Sequence, residues 1–110
     1  MSKTTIPTMN DPISTGRDID LPQLRAQLGW NLAAISGGRI TWHGPSCVLL
    51  PVGSGYRVAI ILEANDTYTV RRIHIGTRVT IKGEVSGVYC EQLAEIAYQA
   101  SCFHDGPFGS

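Results

Sequence analysis

The stretch Tyr56-Arg57-Val58-Ala59-Ile60-Ile61-Leu62-Glu63, then Asn65-Asp66, then Thr67-Tyr68-Thr69-Val70-Arg71-Arg72-Ile73-His74-Ile75, decides the fold. Both long runs are rich in β-branched and aromatic residues, which suit a pleated and partly buried surface. Asn65 and Asp66 tolerate the left-handed backbone of a tight reversal. So short a connection joins two strands only in the antiparallel sense.

Outward from this pair the pattern repeats. Gly76-Thr77 turns the chain into a run from Arg78 to Val85, and Gly53-Ser54-Gly55 separates Tyr56 from a run over Cys47 to Val52. Gly44-Pro45-Ser46 divides that run from Ile40-Thr41-Trp42-His43. Further back, Trp30 to Ile35 followed by Ser36-Gly37-Gly38-Arg39 reads as one more strand entering a hairpin. The short turns predict an antiparallel meander of four to six strands. Val79 and Ile81 share one parity while Arg78, Thr80 and Lys82 share the other, which predicts a sheet with one wet side. Tyr68 and Val70 share a parity that Ile73 and Ile75 do not, which predicts a β-bulge at the Arg71-Arg72 doublet.

The period changes on both flanks. Asp20 suits a helix N-cap, Gln23 the capping-box position, and Ile19 with Leu24 a hydrophobic staple. Pro22 falls in the first turn, Leu21, Leu24, Arg25 and Leu28 share one side, and Gly29 closes the helix. A second helix is predicted from Val88 to about Phe103, begun by Ser86 or Gly87. Its apolar stripe is Tyr89, Leu93, Ile96, Ala97 and Ala100, opposite Glu91, Gln92, Glu95 and Gln99. The fold class is therefore α+β: a short N-terminal helix, an antiparallel β-meander, and a C-terminal helix packed on one face of the sheet. Residues 1–17, rich in Ser and Thr with Pro7, Pro12 and Gly16, read as a flexible arm, 18–104 as a single domain, and 105–110 as a flexible tail.

Composition narrows the functional classes. Nine Lys and Arg balance nine Asp and Glu among 110 residues, so no global field draws the chain to nucleic acid or membrane. A balance this close to neutral weakens colloidal repulsion and favours self-association. Met1 to Gly16 contains one Lys and no continuous apolar run, so no secretory signal is expected. The run Val58 to Leu62 is far too short to span a bilayer. Cys47, Cys90 and Cys102 are odd in number and widely spaced, which fits reduced thiols and a cytoplasmic location.

Three segments carry a resemblance: Thr41-Trp42-His43-Gly44-Pro45-Ser46-Cys47, Asn65-Asp66-Thr67-Tyr68-Thr69-Val70-Arg71-Arg72, and Gly83-Glu84-Val85-Ser86-Gly87-Val88-Tyr89-Cys90-Glu91-Gln92. Together they resemble a set of small uncharacterised proteins encoded by phages and prophages of mycobacteria and related actinobacteria. The likeness covers about residues 20 to 105 and brings no catalytic or binding residues with it. What it implies is context: an intracellular phage product, made to act on a host component.

Chemistry-bearing constellations are sparse. His43-x-x-x-Cys47 and Cys102-x-His104 offer two imidazoles and two thiolates, the donor types zinc favours, but neither half has the spacing of a zinc knuckle. No metal site and no cofactor is expected. Cys90, in the first turn of the second helix, is the best-placed thiol for a nucleophile, with His74 or His43 as its base; the commoner role is a buried helix cysteine. Gly53-Ser54-Gly55 and Gly37-Gly38 form turns and lack the lysine and helix of a phosphate loop. Glu91 and Glu95 share a polar helix face, which reads as solvated.

The charge layout says most. Between Asp66 and Glu84 there is no acid, while Arg71, Arg72, Arg78 and Lys82 fall there with Tyr68 and His74 interleaved. Such a basic hairpin is a candidate for nucleic-acid phosphate, although nucleic-acid-binding domains run more strongly basic overall. The first expectation is a non-catalytic phage accessory protein, a protein-binding module that engages a host or phage component or forms a homo-oligomer. The alternative is a nucleic-acid-binding module using the 71–82 hairpin. A small enzyme around Cys90 is the third and weakest reading.

Overall fold

The two strands quoted first pair as their sequence predicts. In the computed structural model, which describes residues 13–15 and 17–102, β3 (Tyr56–Leu62) runs antiparallel to β4 (Tyr68–Ile75) without a break in register, from Tyr56 opposite His74 to Leu62 opposite Tyr68. Asp66 takes the left-handed conformation at φ 71, and the Glu63 amide donates to the Thr67 carbonyl at 2.8 Å to close the turn. β2 (Cys47–Gly53) flanks β3, β5 (Val79–Val88) flanks β4, and β1 (Thr41–Trp42) adds a two-residue edge beyond β2. The sheet is wholly antiparallel, in the order β1-β2-β3-β4-β5.

Helices cover one face. α1 (Leu21–Leu28), α2 (Trp30–Ser36) and α3 (Cys90–Ser101) bury Leu24, Leu28, Leu32, Ile35, Leu93, Ala97 and Ala100 against Val48, Leu50, Val58, Ile60, Val70 and Val88 of the sheet. The molecule is thus α+β, with the C-terminal helix packed on the sheet and two short helices before it. Asp20 stands at the N-cap of α1 in extended conformation, but its side chain makes no capping hydrogen bond; its carbonyl accepts from Leu24 at 2.9 Å. The staple residues Ile19 and Leu24 are both in the core.

Three expectations are corrected. Trp30 to Ile35 is helical, not a strand. Gly29, at φ 57 and ψ −138, breaks the chain direction without ending its helical course. Alanines 33 and 34 favour helix, and Leu32 and Ile35, one turn apart, both reach the core. The Gly37-Gly38 pair is then a helix end: Gly37 is left-handed at φ 67, with its amide 2.9 Å from the Ala33 carbonyl.

The second correction concerns the start of α3. β5 continues through Ser86 and Gly87 to Val88, and Tyr89 is the N-cap, its amide donating to Gln92 Oε1 at 3.1 Å. Gly87, at φ 68, serves a bulge: Val70 faces Val85 while Tyr68 faces Val88, so one residue of β4 spans two of β5. Tyr89, placed on the apolar stripe by periodicity, is exposed.

The third is the bulge at the arginine doublet. It exists, but the extra residue is Lys82 on β5: Arg72 faces Gly83 and Ile73 faces Ile81. β4 keeps strict alternation and β5 changes sides, sending Val79 and Ile81 to one face and Val85 and Val88 to the other. Ile73 needs no bulge of its own because both faces of the sheet are apolar at the centre. On the side away from the helices, Cys47, Leu49, Ala59, Ile61 and Ile73 form a second buried cluster with Ile13, Val79 and Ile81 against it. The unbroken apolar runs Cys47–Leu50 and Val58–Ile61 are the mark of two-sided burial. Exposure in β5 is confined to Thr80, Lys82, Glu84, Ser86 and Gly87.

Residues 13–15 and 17, which the sequence reading places in a flexible arm, are strapped across one end of the sheet. Ile13 donates to the His43 carbonyl (3.0 Å) and accepts from the Ser46 amide (3.1 Å). Thr15 donates its amide to Ser46 Oγ (3.0 Å) and its hydroxyl to the Leu62 carbonyl, and the Ser46 hydroxyl donates to the Arg17 carbonyl. Arg17 pairs with Asp66 at 3.2 Å. Gly44, at φ 108, lets the strap lie close: a Cβ there would fall 2.4 Å from the Ile13 nitrogen. The other arm residues and the 105–110 tail lie outside the described residues.

Candidate functional site

The basic hairpin places its six predicted residues in different surroundings. Alternation along β4 puts Tyr68, Arg72 and His74 on the helix side and Arg71 on the other. Tyr68 is buried, and its hydroxyl donates to Gln27 Oε1 of α1 at 2.7 Å. Burial pushes its phenol above the ordinary tyrosine range.

Arg72 is buried too. Its guanidinium donates from Nε to the Ala100 carbonyl (2.8 Å) and from Nη2 to the Gln99 carbonyl (3.2 Å). Those carbonyls belong to the last turn of α3, where helical partners run out and the dipole favours a cation. α3 carries no basic residue of its own in that turn. Arg71 is spent differently, with Nε 2.7 Å from Glu84 Oε1 directly across the strand pair. The contact extends a polar row: Glu84 Oε2 lies 3.5 Å from Ser86 Oγ, Ser86 Oγ 3.5 Å from Thr69 Oγ1, and Thr69 donates to Glu63 Oε2 at 2.6 Å. His74 sits against Tyr56, ring centroids 4.6 Å apart and tilted by 58°. Arg78 and Lys82 are exposed. The hairpin therefore presents two outlying cations, while Arg71 and Arg72 are tied into the fold.

The cysteine and histidine candidates are likewise dispersed. Cys47 is fully buried on the second apolar face, and burial pushes its thiol up to about 12. Cys90 is exposed, with Sγ 3.5 Å from Glu91 Oε1. It follows the Tyr68 end of β4, whereas His74 lies at the far end, roughly 20 Å away at strand spacing. The Nε2 atom of His43 is buried without a hydrogen-bond partner among the described residues. Cys102 is half-buried and His104 lies outside the described residues. Among the described residues no three His, Cys, Asp or Glu side chains gather where one metal ion would sit. No helix among them is long and apolar enough to cross a membrane.

Open concavities among the described residues include two on the sheet edges and turns. One of about 420 Å³ is lined by Val52, Gly53, Ser54 and Tyr56 at the tip of the β2–β3 turn. The other, of about 480 Å³, is lined by Glu63, Asn65, Thr67, Thr69 and Ser86, whose polar groups largely satisfy one another.

The residue that the sequence reading missed is Trp30. Assigned to a strand it would alternate into a sheet; as the first residue of α2 it is 91% exposed. Ala33 and Ala34, also exposed, continue the same helix surface. The Asn31 amide donates to the Ala94 carbonyl of α3 at 2.8 Å, which holds the start of α2 against the middle of α3. One turn beyond Ala94 stands Tyr98, 40% exposed. The signal for Trp30 was present only in combination: a glycine break followed by a seven-residue run with alanines and a leucine–isoleucine pair at helical spacing. Comparison with protein-family models, with curated proteins and with solved structures finds no match.

Proposed function

We propose that this chain is a non-catalytic phage accessory protein that acts as a protein-binding module in the host cytoplasm, and that it binds through the outer face of α2 and α3 around Trp30. The observation that carries this reading is the 91% exposure of Trp30 on a helix whose start is held against α3 by the Asn31 contact. A large rigid aromatic held in water gains more from burial at an interface than any other side chain, and tryptophan and tyrosine dominate interface energetics. Nearby Tyr98 and the exposed alanines supply the low, apolar surround that excludes water from such an anchor. The nucleic-acid alternative rests on Arg78 and Lys82, since Arg71 and Arg72 are engaged by Glu84 and by the end of α3.

The test is capture of interacting proteins from an actinobacterial host by tagged full-length chain, alongside a Trp30→Ala variant. The expected outcome is a specific partner, or self-association, that the variant loses by at least about tenfold. Its thermal midpoint should match wild type because Trp30 contributes nothing to the core. Retention of the same partner by Trp30→Ala, or a monomer that captures nothing, would overturn the reading.

A further inference from the structure

Acidic and aromatic groups lie on α3 close to the start of α2, which carries Trp30. On α3, Glu91, Ala94, Glu95 and Tyr98 fall three and four residues apart, so they form one continuous patch. The Asn31–Ala94 contact brings the start of α2, where Trp30 is exposed, to the middle of α3. No lysine or arginine follows Lys82 anywhere in the sequence. Glu84 is matched by Arg71, but neither Glu91 nor Glu95 is in an ion pair among the described residues. Their polar neighbours are neutral, the Cys90 thiol at 3.5 Å from Glu91 and the Gln99 amide at 2.9 Å from Glu95. The patch thus holds two uncompensated carboxylates among exposed rings whose faces attract cations.

Resting on the reading that this face is a protein-binding surface, we propose that its partner is a cationic protein segment, whose arginine or lysine side chains lie between Glu91 and Glu95 and over the rings of Trp30 and Tyr98. The aromatic rings supply affinity, and the carboxylates select the sign of the partner and speed its approach. Exposed ion pairs are individually weak, so the selection is lost as salt screens them. Among the described residues a second copy of the chain offers exposed Arg25, Arg39, Arg78 and Lys82, but they are scattered from α1 to β5 and not gathered on one segment, which makes it the lesser occupant.

The test uses the full chain with Trp42→Phe, leaving Trp30 as its only tryptophan. Three synthetic amphipathic peptides share their leucine positions and carry lysine and arginine, glutamine, or glutamate at the remaining sites. Protection of Trp30 fluorescence from acrylamide reports docking. The cationic peptide should protect at least about tenfold more tightly than the other two, a preference abolished near 1 M salt, where charges beyond about 3 Å are screened. Glu91→Gln combined with Glu95→Gln should weaken it by at least about tenfold as well. Equal protection by all three peptides would overturn the charge assignment and leave the Trp30 surface standing. Protection that grows with protein concentration alone would make a second copy the occupant and overturn the cationic partner. If no peptide protects, the cationic assignment falls, and the Trp30→Ala capture experiment decides separately on the surface itself.

Discussion

Cys47 shows what one buried side chain does to the behaviour of the whole. Its Sγ sits fully enclosed on the second apolar face, 3.7 Å from the Val48 carbonyl. Burial raises its thiol from 9.0 to about 12, with the nearby Arg71 charge acting in the opposite direction. A group whose folded pKa lies above its unfolded value contributes stability that is complete below the unfolded value and is lost as pH rises towards the folded one. Wild type should therefore lose stability between pH 9 and about 12, by up to about 1.4 kcal/mol per pH unit, relative to Cys47→Ala. Urea midpoints measured across that range for both proteins check it; parallel curves would refute it. A disulfide-exchange reagent should label Cys90 first and Cys47 only when the protein unfolds.

At the scale of elements, Arg72 joins α3 to the sheet. A strand residue supplies the cation that α3 lacks in its own last turn. Arg72→Ala should cost about 3 kcal/mol, from two charge-assisted hydrogen bonds and the packing of its stem. Amides 97–102 should exchange faster in that variant, with β2 and β3 little changed. An exposed Lys82→Ala should cost under about 0.5 kcal/mol, and similar losses at both positions would count against the assignment. The same arginine explains what the sequence concealed. Alternation assigns Arg72 to a face, but only the fold reveals that a helix end waits there, because the contact spans 28 residues. The strands from Cys47 to Ile75 were legible because β-branched runs between glycine and Asn-Asp turns admit one reading. α2 was misread because seven residues are too few to separate a helical period from an extended run, and Gly37-Gly38 suits a hairpin and a helix end equally well. Ser86 and Gly87 suit a helix start and a bulge for the same reason.

For the molecule as a whole, fold class was legible and the candidate surface was not. The α+β pattern follows from periods that change twice along the chain, and local composition carries that information. The surface around Trp30 requires α2 to be helical and docked on α3, so one local misreading hides it. Neutral overall charge also conceals an uneven distribution, with Arg78 and Lys82 at the start of and along β5 and, on α3, two acids in no ion pair among the described residues.

The strand order also governs how the molecule comes together. Each strand pairs with its successor in the chain, so every closure in the sheet is short and low in entropic cost. The strap closes longer loops: its contacts to Ser46, Leu62 and Ala64 span 29 to 47 residues. Such contacts gain least until the sheet exists, so the strap docks after the rate-limiting barrier. Thr15→Ala should speed unfolding several-fold and leave the refolding rate nearly unchanged, read from the two arms of a denaturant chevron. A slowed refolding arm would instead place the strap in the nucleus. The strap is then a latch on kinetic lifetime, setting how long the sheet endures and not how fast it forms.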